Sequence, residues 1–343
     1  MIRLFPAGGF FFACNFLLYF FILAGKTSYM LLKIVKLLGF LLGINLLVIL
    51  ILIVLHLPGT TKIDKIYSHS FEFERDVIIV KAYLKGIGPY NFILDTGTDP
   101  CVIDRELAER LSFVQFSLGK QEVGENQPIE ISLPSPLKLR LGDMPESRKF
   151  FLGFDLKPIS QKMGMPIHGI LGHNFLQDNA FQIDYKQKEI HFFPPEHEIY
   201  PEVKKGVLAM NLQFIDKGSF PLIDELRING RKIRVTLDTG YNQSLTLYKE
   251  AIKELKLERQ LKELADKTSL GYGGEKKVKS LAAHSLQLHN WNIPQKRNLF
   301  ADLESKKSEV PMEIRAGNMG NGILKHYKLS MDYKQKKVWF EKH

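Results

Sequence analysis

The chain has 343 residues, 45% of them hydrophobic and 24% charged, which excludes a disordered tail or a collagen-like rod. Its two cysteines, Cys14 and Cys101, exclude a disulfide framework and a cysteine-built zinc site. The net charge of +10 is uneven: residues 1–62 hold five basic and no acidic residues, leaving 42 basic against 37 acidic over the rest. That is a mildly basic remainder without a basic patch, so no nucleic-acid partner is expected.

From the N-terminus, residues 7–25 form an apolar, Phe-rich stretch, and Leu37–Leu57 is a run of 21 residues without Asp, Glu, Lys or Arg. At a rise of about 1.5 Å per residue the second run can cross a hydrocarbon core of about 30 Å, so it is expected to be a transmembrane helix. A cleavable signal peptide is the rival reading, because Lys33 and Lys36 precede the run; no small-x-small cleavage pattern follows it. The stretch 7–25 is either a first transmembrane helix or lies upstream of a start at Met30. Either way Lys26, Lys33 and Lys36 place their loop in the cytoplasm, and the chain after the second run on the extracytoplasmic, periplasmic or outer, side. Residues 1–62 are therefore expected to be a membrane anchor.

The remainder is duplicated. DYKQK occurs at Asp184–Lys188 and again at Asp332–Lys336, and LGHNFL (171–176) lies over MGNGIL (319–324) at the same offset of 148. Further upstream FILDTGTDPCVI (92–103) lies over VTLDTGYNQSLT (235–246) at an offset of 143. Two copies of one unit follow, 70–194 and 207–343, joined by a proline-rich, charged linker at 195–206. Short alternating strands dominate each copy: VIIVKAYL and YNFILD in the first, LIDELRI and KIRVTLD in the second, with GIGP and NG as turns. Helical periodicity appears only after each DTG, in IDRELAERL (103–111) and LYKEAIKELKL (247–257), and the lysine-rich stretch 249–267 reads as a solvated helical face.

Asp95-Thr96-Gly97 and Asp238-Thr239-Gly240 each follow a β-like apolar run. A hairpin end repeated by duplication would explain the glycines, but it does not explain an acid directly after a buried strand. Two carboxylates brought together across a twofold cannot both ionise cheaply, so the pair can hold a water as general base and general acid. The glycines permit close approach and the threonine hydroxyls can brace the loops. Thr98 follows the first DTG and Tyr241 the second, where its phenol could crowd the pair. Cys101 reads as a small buried apolar residue, and His168 and His173 as turn or surface residues with no metal site.

The paired apolar-apolar-Asp-Thr-Gly motifs, each followed by an apolar-Gly pair at Leu171-Gly172 and Met319-Gly320, resemble the retropepsin-like and pepsin-like aspartic proteases. Membrane-tethered bacterial members of that group are the nearest analogy. The resemblance implies a mostly β fold of two tandem acid-protease β-barrel lobes forming an internal pseudo-dimer, preceded by the transmembrane helix or helices. It implies Asp95 and Asp238 as the catalytic dyad, with Thr96, Gly97, Thr98, Thr239 and Gly240 supporting the catalytic loops. A flap hairpin is expected at Tyr272-Gly273, where an ordinary glycine turn fits equally well, and more weakly around 122–126.

The function expected is that of a membrane-anchored, monomeric, two-lobed aspartic endopeptidase acting on peptide or protein substrates without metal or organic cofactor. The alternative is a catalytically silent binding module that uses the same cleft, which Tyr241 favours.

Overall fold

The computed structural model describes residues 58–343 apart from 113–114, 122–128, 201–204, 216–218, 263–267, 272–273, 294–298 and 304–309. The chain divides into two compact units, Met1–Leu57 and Pro58–His343. Of the first unit only 39, 40, 43 and 44 are described, all helical, so the span expected at 37–57 lies almost entirely outside the described residues and that at 7–25 wholly so. Among the described residues no helix is long and apolar enough to cross a membrane.

The described part of the second unit holds two ten-stranded sheets of matching strand order, one six-stranded sheet and one two-stranded sheet. In the first copy, β1 (Val77–Leu84) and β2 (Ile87–Leu94) form a hairpin, followed by β3 (Cys101–Asp104), α1 (Arg105–Leu111), β4 (Phe151–Phe154), β5 (Gly169–Leu171) and the one-turn α2 (His173–Leu176). The second copy repeats this as β6 (Phe220–Ile228), β7 (Arg231–Leu237), β8 (Leu245–Tyr248), α3 (Lys249–Glu254), β9 (Leu299–Asp302), β10 (Gly317–Met319) and α4 (Asn321–Leu324). Both hairpins turn on two residues with positive φ: Lys85 (52°) and Gly86 (77°), then Asn229 (51°) and Gly230 (82°). This is the left-handed pair that a two-residue hairpin needs. The first turn therefore falls on Lys85-Gly86, ahead of the GIGP expected from the sequence, and Ile87 already pairs with Leu84 in the ladder.

β2 runs parallel to β5, which also pairs antiparallel with β3, so the strand carrying the first acid ends beside Leu171 in the middle of its sheet. β7, β10 and β8 repeat the crossing around the second. Leu94, Leu171, Leu237 and Met319 are fully buried there and lock the two strand ends in place.

The six-stranded sheet joins the copies through Ala180–Asp184 against Tyr327–Asp332. The repeated DYKQK forms the turns next to this seam. Asp184 Oδ1 accepts from the N–H of Lys186 and Gln187 (both 3.0 Å), and Asp332 Oδ1 from Lys334 (2.8 Å) and Gln335 (2.9 Å). An acid that bonds the backbone two and three residues on makes a turn by itself, which accounts for the repeat.

Helix α1 starts at Asp104, whose carboxylate accepts from Leu107 N–H (3.2 Å), and buries Leu107, Ala108 and Leu111. α3 is shorter than the lysine-rich stretch suggested. It ends at Glu254, and Lys256 takes a left-handed φ of 56°, which breaks the helix before most of its lysines.

Candidate active site

The ends of β2 and β7 bring the two DTG loops together. Thr96 N–H donates to Thr239 Oγ1 (3.1 Å) and Thr239 N–H to Thr96 Oγ1 (3.1 Å). The Thr96 hydroxyl donates to Leu237 O (2.7 Å) and that of Thr239 to Leu94 O (2.9 Å). Both threonines are fully buried. Four reciprocal bonds therefore fix the two loops, leaving the acids little freedom relative to each other.

Each carboxylate accepts from the glycine of its own loop: Gly97 N–H to Asp95 Oδ1 at 2.7 Å and Gly240 N–H to Asp238 Oδ1 at 3.1 Å. Each glycine also lies against the opposite acid. A Cβ on Gly97 would fall 2.6 Å from Asp238 Cγ, and one on Gly240 2.3 Å from Asp95 Cγ. Asp95 is hydrogen-bonded to both Asp238 and Gly240 N–H across the twofold.

Asp95 is 8% exposed. Burial pushes its carboxyl above the usual range, while hydrogen bonds from Thr98, Gly97, Asp238 and Gly240 pull the other way. Burial prevails, and because two carboxyls at hydrogen-bond distance cannot both ionise cheaply, one proton is shared by the pair.

The outer oxygens are held differently. Thr98 Oγ1 donates to Asp95 Oδ2 at 2.5 Å. Tyr241 is its equivalent, since His173 N–H donates to Thr98 O and Asn321 N–H to Tyr241 O, each at 2.8 Å. The phenol of Tyr241 turns into its own lobe, its Oη 2.6 Å from Thr246 Oγ1. Asp238 Oδ2 instead receives Asn318 Nδ2 at 3.4 Å, and Asn318 Oδ1 accepts from Tyr248 Oη at 3.1 Å. The second loop is also one residue longer. Cys101 and Leu245 occupy the same ladder position, opposite Phe151 and Leu299, which shifts the sequence offset from 143 to 144 within the loop.

Behind Asp238 the two lobes differ in chemistry. In the first, Ile93, Val102, Phe154, Ile167 and Ile170 belong to a separate apolar cluster. The equivalent places in the second hold Thr236, Thr246, Asp302 and Asn318, and also Arg315, since Ala316 makes the same two backbone bonds as His168. The Arg315 guanidinium sits 5.3 Å from the centre of the Tyr248 ring. Thr236 Oγ1 and Arg315 Nε are buried without a hydrogen-bond partner among the described residues, each a cost of about 1–3 kcal/mol.

Two further residues escaped the sequence reading. Asn321, fully buried, donates through Nδ2 to Thr239 O (2.7 Å) and to Asp76 O of the first lobe (2.8 Å), and its Oδ1 accepts from Tyr185 Oη (2.7 Å). One amide thus ties the second DTG loop to two segments of the other lobe. Both Tyr185 and Asn321 lie in the repeated segments, and that repetition is the signal that could have found them.

Of the other residues singled out, Cys101 is fully buried, accepts from Gly172 N–H (3.2 Å), and has its thiol pushed up to about 12 by burial, so it is no nucleophile. His168 Nδ1 accepts from Asn91 N–H (3.1 Å), and the His173 ring packs edge-on to Tyr333 with centroids 5.0 Å apart. Burial lowers the pKa of both histidines. Among the described residues no three His, Cys, Asp or Glu side chains gather as metal ligands. Tyr272, Gly273 and 122–126 lie outside the described residues. Antiparallel hairpin strands flank both stretches: Thr268–Gly271 with Gly274–Lys277, and Gln115–Gln121 with Ile129–Pro134.

Comparison with known proteins agrees with this arrangement. Residues 80–175 match the family model described as aspartyl protease. No curated protein matches the chain. Among solved structures, the chain is similar to an aspartic proteinase from Irpex lacteus, at 12% identity over 81% of this chain and 97% of that one, with a TM-score of 0.50. It is also similar to basic 7S globulin from soybean, at 10% identity over 81% and 95% of the two chains, with a TM-score of 0.45. At 12% identity the first likeness speaks to the fold, the two-lobed architecture described above.

Proposed function

We propose that the chain, whose residues 80–175 match the aspartyl protease family model, is an endopeptidase whose dyad is Asp95 and Asp238. The observation that carries this reading is the hydrogen-bonded pairing of the two carboxyls over the reciprocal Thr96–Thr239 bonds. In the free protein one proton is shared by the buried pair. A water lying between the acids loses a proton to the ionised carboxylate as its oxygen attacks the peptide carbonyl carbon. The carboxylic proton passes to the carbonyl oxygen, giving a neutral gem-diol. One acid of the dyad then donates its proton to the amide nitrogen while the other carboxylate takes a gem-diol hydroxyl proton, so that cleavage of the C–N bond yields a carboxylic acid and an amine and restores the singly protonated pair. The four threonine bonds hold the acids in register throughout, so little reorganisation is needed as charge moves.

In the same proposal the enzyme is monomeric, is anchored by the apolar run 37–57, and works on extracytoplasmic peptides or proteins. The support for anchor and side is Lys26, Lys33 and Lys36 on one flank of an uncharged run. The silent-binder reading rested on Tyr241 crowding the dyad. With the Tyr241 phenol bonded to Thr246, that support is gone. The test is cleavage of a peptide library between about pH 4 and 7 by the full chain and by Asp95→Asn and Asp238→Asn. Both variants should be inactive; retained cleavage in both would remove the dyad assignment.

A further inference from the structure

The two halves of the dyad are built from the same repeat but hold their outer oxygens by different means. In the first lobe the hydroxyl two places after the DTG aspartate's threonine does the work, as Thr98 donates to Asp95 Oδ2 at 2.5 Å. At the equivalent place in the second lobe Tyr241 is engaged with Thr246, and the donor at Asp238 Oδ2 is Asn318. Asn318 stands where the first lobe has Ile170, one residue before the end of the crossing strand. An amide there is expensive, because it needs a polar setting inside the lobe. That setting exists: Tyr248, 1% exposed, donates to Asn318 Oδ1 and so turns the amide N–H₂ toward the acid. Arg315 in turn lies against the Tyr248 ring. A polar cluster in place of a hydrophobic one is explained if it serves to aim this donor.

We propose that Asn318, clamped by Tyr248, is the positioning residue for Asp238, supplying in the second lobe the hydrogen bond that Thr98 supplies in the first. The inference rests on the dyad reading above. Its consequence is that the two outer oxygens are held by donors of different strength, a hydroxyl at 2.5 Å and an amide at 3.4 Å, so the two acids are not interchangeable. The titratable and charged groups near Asp238 include Asp95 across the twofold, Tyr241 and Tyr248 in its own lobe, Asp302 opposite Tyr248 in the ladder, and Arg315 against the Tyr248 ring. Tyr333 and Asp99 lie on the side of Asp95. Of these, Tyr248 acts on Asp238 through Asn318, which gives the test two independent variants.

The experiment compares the full chain with Asn318→Leu, which keeps the branched shape without the amide, and with Tyr248→Phe, which removes only the clamp. Two readouts are taken: the pH profile of kcat/KM on a peptide substrate, and the titration of the aspartate carboxyls followed by ¹³C NMR of labelled protein, which needs no activity. A hydrogen bond to the ionised form favours ionisation, so its loss should move the acid limb and the first ionisation of the pair upward, by about one pH unit in Asn318→Leu. Tyr248→Phe should move both in the same direction by less. An acid limb and titration unchanged in both variants would overturn the proposal, as would a fall in activity with no shift of either. Failure of the dyad reading looks different: Asp95→Asn and Asp238→Asn would then still cleave, and the carboxyl titration alone would decide the role of Asn318.

Discussion

Thr96 and Thr239 exchange hydrogen bonds across the pseudo-twofold, each backbone N–H donating to the other's Oγ1 at 3.1 Å, while each hydroxyl donates to the carbonyl that precedes the other's aspartate. Replacing one threonine by valine keeps the shape and strands one buried N–H and one buried carbonyl, at about 1–3 kcal/mol each. Thr96→Val and Thr239→Val are therefore expected to lose roughly 2–6 kcal/mol in urea unfolding. The double variant should lose less than the sum, because the four bonds form one network. Additive losses would show that the two hydroxyls act separately.

The glycines of the DTG loops are fixed by the acid across the twofold rather than by their own backbone. A methyl at Gly240 would sit 2.3 Å from Asp95 Cγ, and one at Gly97 2.6 Å from Asp238 Cγ, and neither carboxyl can turn away without giving up the hydrogen bonds of its own loop. Gly97→Ala and Gly240→Ala should each separate the carboxyls and lower kcat by at least about 100-fold, the scale of a misplacement near 1 Å, with a smaller effect on KM. Near-normal kcat in either variant would mean that the loops can yield where the geometry says they cannot.

The raised carboxyl of Asp95 has a signed consequence for stability. In the unfolded chain an aspartate ionises near its ordinary value of about 3.9, whereas burial keeps Asp95 protonated to higher pH in the fold. Between those two values the folded state binds the extra proton, so stability falls as pH rises through the window. Asp95→Asn removes the titration. It should raise the melting temperature relative to the parent at neutral pH and have a much smaller effect below about pH 4. Equal shifts at both ends of the range would contradict a buried, proton-holding acid.

The architecture was largely legible because it is written in local signals. Alternating apolar residues, the Asn229-Gly230 turn and a motif repeated at a near-constant offset each act over a few neighbours. The one-residue lengthening of the second DTG loop was not legible, since an ungapped comparison of 92–103 with 235–246 cannot show that Leu245, and not Ser244, takes the ladder place of Cys101. Nor were Asn318 and Asn321. Their roles depend on partners such as Tyr248, Tyr185 and Asp76, which lie far away in sequence and meet them only once the sheets are formed. Tyr241 misled for the same reason. Its size suggested a clash with the dyad, whereas its contact with Thr246 is a property of the folded lobe.

Away from the dyad, the segment just after the first unit is tied into the first lobe by a buried ion pair. Lys149 and Asp178 have side chains 2% and 3% exposed and are in direct contact. Around them Lys149 Nζ also donates to Gly59 O (2.7 Å), Thr61 N–H to Asp178 Oδ2 (2.5 Å) and Asn179 Nδ2 to Thr61 O (2.8 Å). Lys334 Nζ, from the second DYKQK turn, donates to Asp178 O at 2.7 Å. Removing one charge strands the other away from water, so Lys149→Met should cost about 3–5 kcal/mol in denaturant unfolding. Replacing both partners, Lys149→Met with Asp178→Leu, leaves no buried charge and should recover much of that loss, although Thr61 N–H then lacks its acceptor. The sequential loss and recovery is the signature of a pair kept for how it fixes residues 59–61 rather than for net stability. A single-variant cost within the roughly 0.5 kcal/mol range of surface substitutions would show that the clasp contributes nothing to the fold.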